Sequence, residues 1–175
     1  KWSGFELFIY SAFLRRCDEV IFVGAHLHDY YRKKGVRLPD KTRVQNAFIA
    51  PPLDEEMEIL NTYPGDIRKF VKQRRPLLVA NAFKIVLHNR VDLYGLDMCV
   101  DLVAKLKNTY PDVGLLFALA DIENREYFKC INQTINKLGI SENFKFMTDQ
   151  KELWPLFKEA DLLVRPTYVD AYGIS

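Results

Sequence analysis

The residues best suited to chemistry cluster at the end of the chain, in Arg165-Pro166-Thr167-Tyr168-Val169-Asp170-Ala171-Tyr172-Gly173-Ile174-Ser175. One acid, Asp170, precedes a glycine from which a helix can start. A helix opening at Gly173 would aim the unsatisfied N–H groups of its first turn at an anion such as a diphosphate. The same residues also make an ordinary β–α turn with a capping aspartate, and spacing leaves both readings open. A second stretch, Asn81 to Asp92, reads as a long loop carrying Lys84, His88 and Arg90. Other chemistries lack their patterns. No Gly-x-Gly-x-x-Gly, P-loop lysine motif or Gly-x-Ser-x-Gly elbow is present. His26 and His28 stand two apart in a helical segment and point to different faces, whereas helical metal ligands usually sit four apart. No metal is expected.

These segments need a scaffold, and the strand–helix rhythm supplies one. Apolar runs at Leu77–Phe83, Gly114–Ala120, Phe144–Met147 and Leu162–Arg165 read as strands. Helical patterns fall between them at Tyr94–Tyr110, Glu123–Leu138 and Lys151–Ala160. Strands alternating with helices of this length argue for parallel β-α-β units. Strands apolar throughout fit a sheet covered on both faces. The expected fold class is α/β, a Rossmann-like doubly wound parallel sheet. In such sheets ligands bind beyond the carboxyl ends of the strands, where the strand order switches. That rule selects the loops 81–92, 121–124, 148–150 and 166–175.

Upstream, a helix over Trp2–Phe13, a strand at Val20–Val23, a helix at Ala25–Lys34 and a strand at Arg43–Ile49 make a partial second α/β unit. Pro51-Pro52 breaks that rhythm, and Tyr63-Pro64-Gly65 is a turn signal. The expected organisation is therefore 1–50, the end of an N-terminal α/β domain; 51–75, a crossing or hinge; and 76–175, the Rossmann-like domain. The basic run Arg68, Lys69, Lys72, Arg74, Arg75 reads as a solvated helix face. Phe117, Phe128, Phe144, Phe146, Trp154 and Phe157 fall at core positions.

The segment Leu153–Ser175, LWPLFKEADLLVRPTYVDAYGIS, resembles the nucleotide-sugar-binding half of retaining GT-B glycosyltransferases of the group 1, family 4 type. In these a helix ends in Ala-Asp, an apolar strand and Pro-Ser/Thr follow, then an acid, Gly, an aromatic and Gly. Tyr94-Gly95-Leu96-Asp97 is similar to the family's Lys-Gly-x-Asp at a helix start. The likeness covers about 77–175, and more weakly 20–52. Ala80-Asn81 stands where the family has Gly-Arg, Tyr94 where it has Lys, and Asp170 where it has Glu. The resemblance implies a two-domain GT-B enzyme, a glycosyltransferase of hexosyltransferase type, of which this stretch alone would be inactive. Its substrate would be a UDP- or GDP-linked sugar and its acceptor a saccharide or lipid-linked glycan, in cell-surface polysaccharide or glycoconjugate synthesis. No cofactor is implied. Asp170 would be the catalytic acid facing the donor sugar. Asn81, Lys84, Arg90, Thr167, Tyr172, Gly173, Ile174 and Ser175 would line the donor site. A nucleotide-sugar epimerase of the same architecture, and a relative that binds without turnover, share these features.

Composition agrees with a globular protein. The 175 residues are 49% hydrophobic and 27% charged, enough for a core and against disorder. Lys plus Arg number 25 against 23 acids, a net +2, too small an excess for a nucleic-acid binder. Cys17, Cys99 and Cys130 are scattered, which fits neither a disulfide framework nor a zinc site and favours the cytoplasm. No apolar run approaches the roughly 20 residues of a membrane span. The chain starts without Met and reads as an excerpt, and peripheral attachment to the inner face of a membrane would fall to a preceding part.

Overall fold

The computed structural model describes residues 3–46, 48–89, 91–149 and 152–167. They fall into two compact units, one up to Ala50 and one from Pro51 on.

The first unit holds α1 (Gly4–Leu14), β1 (Val20–Phe22), α2 (Ala25–Lys33) and β2 (Thr42–Val44). A capping box starts α1: the Glu6 backbone N–H donates to Ser3 Oγ at 3.2 Å, and the Ser3 N–H donates to the Glu6 carboxylate at 2.6 Å. The strands pair in parallel, with Val20 opposite Thr42 and Phe22 opposite Val44. β2 ends at Val44, short of the expected Ile49. His28 packs its ring edge-on to Phe22, centroids 5.2 Å apart. The aromatic face of α1 is uncovered, with Phe5 72% and Phe13 67% exposed.

The second unit opens with a short 3-10 turn (Leu53–Glu55), α3 (Glu56–Thr62) and α4 (Gly65–Gln73). It continues through β3 (Leu77–Lys84), β4 (Leu87–His88), β5 (Val91–Asp92), α5 (Leu96–Leu106) and β6 (Gly114–Asp121). It closes with α6 (Arg125–Lys137), β7 (Phe144–Thr148), α7 (Trp154–Glu159) and β8 (Leu162–Leu163). Four strands form one sheet in the order β7-β6-β3-β8, every pair parallel. This is the α/β, Rossmann-like sheet expected from the sequence.

Two cores follow from the two covered faces. Leu78, Ala80 and Ala82 of β3 meet Leu96, Val100 and Val103 of α5 and Ile131 and Ile135 of α6. Leu77 and Val79, one residue out of phase, meet Ile59 and Tyr63, then Ile67, Phe70 and Val71 of α4 and Leu156 of α7. Segment 51–75 is thus largely helical, and its apolar face is part of the second core. The basic residues Arg68, Lys69 and Lys72 lie on the solvent side of α4, as the sequence suggests. Phe117, Phe128, Phe144 and Phe146 form an aromatic cluster in the first core, centroids 4.7 Å apart at the closest pair.

Two polar side chains fix the register. The Leu77 N–H donates to Asp161 Oδ2 at 2.7 Å, which ties the start of β3 to the start of β8. Asn143 Nδ2 donates to the carbonyls of Pro111 and Val113 at 2.9 and 2.7 Å, anchoring the start of β7 beside that of β6.

Candidate functional site

The strand order decides where a ligand can lie. β3 is followed by β6 on one side, and the chain returns to the other side only with β8. The switch in direction therefore falls between β3 and β8, and a crevice opens beyond their carboxyl ends.

The β3 side of that crevice is more ordered than a loop. β3 runs on to Lys84, and Leu87–His88 and Val91–Asp92 then pair as an antiparallel ribbon, Leu87 opposite Asp92 and His88 opposite Val91. A two-residue connection of this kind wants positive φ, and Asn89 supplies it at 51°. The expected long loop is corrected to a β-ribbon, because Asn89 can take the left-handed turn that glycine usually takes.

At the foot of the ribbon stands Asp92, 1% exposed. Its carboxylate accepts from the Tyr94 N–H at 3.1 Å and the Leu96 N–H at 2.9 Å, capping α5. Burial pushes its pKa up, and the two N–H bonds oppose that rise. Beneath it, burial drives the Cys99 thiol up to about 12, helped by the charges of Asp92 and Asp97. Cys99 is a packing residue, not a nucleophile.

Gly95 joins the two walls. It takes φ +64°, and a Cβ there would strike the Pro166 carbonyl oxygen and lie 2.8 Å from its ring Cγ. Only a glycine lets the start of α5 and the loop after β8 approach so closely. Below this contact, between α5 and Val164–Pro166, lies a cavity of about 310 Å³.

Lys84 closes the β6 side. Its Nζ lies 2.6 Å from Glu123 Oε2, both groups about half exposed. The hydrogen bond from Glu123 and then its charge hold the ammonium above its usual range. Around the pair, between β3 and the start of α6, is an open cavity of about 560 Å³ lined by Ile85, Val86, Asn124 and Arg125. Asn124 caps α6, accepting the Tyr127 N–H at 3.0 Å.

Asn81 sits where β3 meets Ala118 of β6, on the opposite face from Lys84 by strand alternation. Its Oδ1 is buried and has no hydrogen-bond partner among the described residues. Such an acceptor is costly to leave empty and calls for a donor, whether water or a ligand hydroxyl. Thr167 follows Pro166, its N–H donating to the Arg165 carbonyl at 2.9 Å.

Of the residues expected to bind the donor, Lys84 thus ends β3, Asn81 lies midway along that strand, and Thr167 follows β8 by four residues. Asn81 and Lys84 are held on different faces rather than together. Arg90, Asp170, Tyr172, Gly173, Ile174 and Ser175 lie outside the described residues, as does the helix expected at Gly173. Sequence reasoning missed Asp92 and Glu123. An aspartate three residues before a helix-opening glycine is a capping signal, and Asp121-Ile122-Glu123-Asn124 is an acidic cluster directly after a strand. Among the described residues no cluster of three or more His, Cys, Asp or Glu could hold a metal ion.

No family model matches the chain, and no curated protein is similar in sequence. Solved structures are similar in shape. Alr3699/HepE of Anabaena, in complex with UDP and glucose, superposes with a TM-score of 0.67 at 17% identity over 98% of this chain and 44% of its own. A glycosyltransferase from Rickettsia africae gives 0.67 at 12% identity over 95% of this chain and 42% of its own. The α,α-trehalose 6-phosphate synthase of Burkholderia multivorans gives 0.62 at 11%, over 94% and 42%. This chain spans less than half the length of each. At such identities the likeness is one of fold, and the chain has the α/β fold found in these glycosyltransferase structures.

Proposed function

We propose that this chain is part of a glycosyltransferase moving a sugar from a UDP- or GDP-linked donor to a saccharide or lipid-linked acceptor. The observation that carries the reading is the switch point between β3 and β8, walled by the β3 end and the Gly95–Pro166 contact. Support comes from the likeness in fold to a structure holding UDP and glucose, and from the motif resemblance around Asp170.

In the reaction the bond from the anomeric carbon to the bridging oxygen breaks and a bond to the acceptor hydroxyl oxygen forms, with loss of its proton. Negative charge builds on the departing diphosphate, and cations with fixed N–H dipoles stabilise it. Lys84 and Arg90 are the cations we assign to that task. The N–H groups of 173–175 would serve as the dipoles, and Asp170 would face the sugar. Asn81 Oδ1 would accept from a donor hydroxyl. Retention, a metal-free site, a cytoplasmic setting and a role in cell-surface glycan synthesis belong to the same reading and rest on the resemblance.

Calorimetry of the full-length protein with UDP and GDP tests it. Lys84→Ala or Arg90→Ala should weaken binding about ten- to a hundredfold. Asp170→Ala should bind nucleotide like the parent yet transfer no sugar. If the parent binds neither nucleotide, or if all three variants bind and turn over like the parent, the assignment fails.

A further inference from the structure

We propose that Phe83 and Asn81 of β3 seat a saccharide ring, its apolar face on Phe83 and one hydroxyl donating to Asn81 Oδ1. This deepens the sugar-transfer reading of the site and rests on it for the class of ligand.

Strand alternation puts the two residues together. Leu77, Val79, Asn81 and Phe83 share one side of β3, away from Lys84. Leu77 and Val79 are buried on that side against α4 and α7. The cover thins along the strand. Asn81 is already partly exposed, and Phe83 is 71% exposed, the most exposed apolar residue of the parallel sheet among the described residues. It stands next to last in an inner strand, at the switch in strand order.

A lone exposed phenylalanine is ordinary on a protein surface. Here it adjoins a polar group in the opposite condition. Asn81 Oδ1 is buried and has no hydrogen-bond partner. The last torsion of an asparagine is soft, so a turn of the amide can present that oxygen to a ligand. Phe83 lies about 6–7 Å further along the strand, within reach of a substituent on a ring seated there.

The two features together select the ligand. Water would satisfy Asn81 and leave Phe83 wet. An apolar group would cover Phe83 and leave the amide oxygen without a donor. A fully ionised anion has no proton to give Oδ1. A sugar ring supplies both needs, with C–H bonds on one face for the aromatic ring and hydroxyls at its edge. Being neutral, it needs no charge of either sign, and Lys84 projects from the other side of the strand.

The test is saturation-transfer NMR of the full-length protein with the methyl α- and β-pyranosides of glucose, galactose and mannose. At least one should receive saturation at the C–H protons of a single ring face. Phe83→Ala, an exposed change that leaves the core intact, should weaken that glycoside about tenfold. Asn81→Leu keeps the bulk without the acceptor and should weaken it about fivefold. Phe83→Ala should bind UDP and GDP like the parent. Failure of the parent to bind either nucleotide overturns the sugar-transfer reading, whereas failure of the present proposal shows in the glycosides. Displacement by UDP-glucose but not by UDP marks the donor's sugar as the occupant. A glycoside that stays bound beside UDP-glucose marks the acceptor's. The proposal is overturned if no glycoside shows one-face saturation, or if either variant binds it like the parent. Displacement by UDP alone also overturns it, since the nucleotide would then lie on Phe83.

Discussion

Asp92 pairs two opposed demands on one carboxylate. Its backbone bonds favour the charge, and its burial penalises it more. Asp92→Ala loses both caps and should lower stability by about 1–2 kcal/mol in urea unfolding. The pH dependence has a definite sign. With its pKa raised above the ordinary 3.8, the folded residue holds its proton more tightly than the unfolded chain does. Its contribution to stability therefore falls as pH rises from that value through the raised one, and is flat above. Asp92→Asn keeps one acceptor and cannot ionise. Its deficit against the parent should be smaller at pH 7 than at pH 4, and urea midpoints at the two pH values check this. Lys84 raises the converse point. Exposed ion pairs are weak, so the Lys84–Glu123 contact can yield to a stronger anion. Glu123→Gln removes the carboxylate paired with Lys84, leaving only the charge of Asp121 nearby, and should tighten nucleoside diphosphate binding a few-fold in calorimetry. Unchanged or weaker binding would remove Lys84 from the donor site.

At the level of elements, the meeting of α5 with the loop after β8 rests on one missing methyl. Gly95→Ala adds a Cβ that meets backbone, not a movable side chain, and does so at positive φ. It should cost about 1 kcal/mol or more in stability and weaken UDP binding, because the two crevice walls must part. Calorimetry and thermal unfolding of that variant read both. The inner strands were legible because burial on both faces makes them almost wholly apolar, as in Leu77–Ala80 and Leu115–Ala120. The ribbon was not, since Leu87-His88 and Val91-Asp92 are too short to show a period. α4 was obscured by its own charges, which hide Ile67, Phe70 and Val71 at helical spacing. In the site, the strand-end rule points to the loops 81–92 and 166–175, whose described parts follow β3 and β8 at the switch in strand order. The role of Asp92 was hidden because it depends on α5 starting at Leu96 rather than at Tyr94. Lys84–Glu123 depends on the register that sets Lys84 beside Asp121, and no local pattern encodes it.

The molecule as a whole offers two kinds of uncovered surface. In the first unit α1 exposes Phe5, Phe8 and Phe13. In the second, β8 leaves Leu162 57% and Leu163 49% exposed at the sheet edge. Among the described residues no helix is long and apolar enough to cross a membrane. The strand order also has a consequence in time. β3 is an inner strand, yet the bond that ties its start to β8 joins residues 84 apart in sequence. A ribosome adding 5–20 residues per second needs roughly 4–17 s to make that stretch. Until then one edge of β3 is an open row of N–H and C=O groups flanked by Leu77, Leu78 and Val79, able to pair with another nascent chain. The strand at the centre of the finished sheet is the one at greatest risk while the protein is being born.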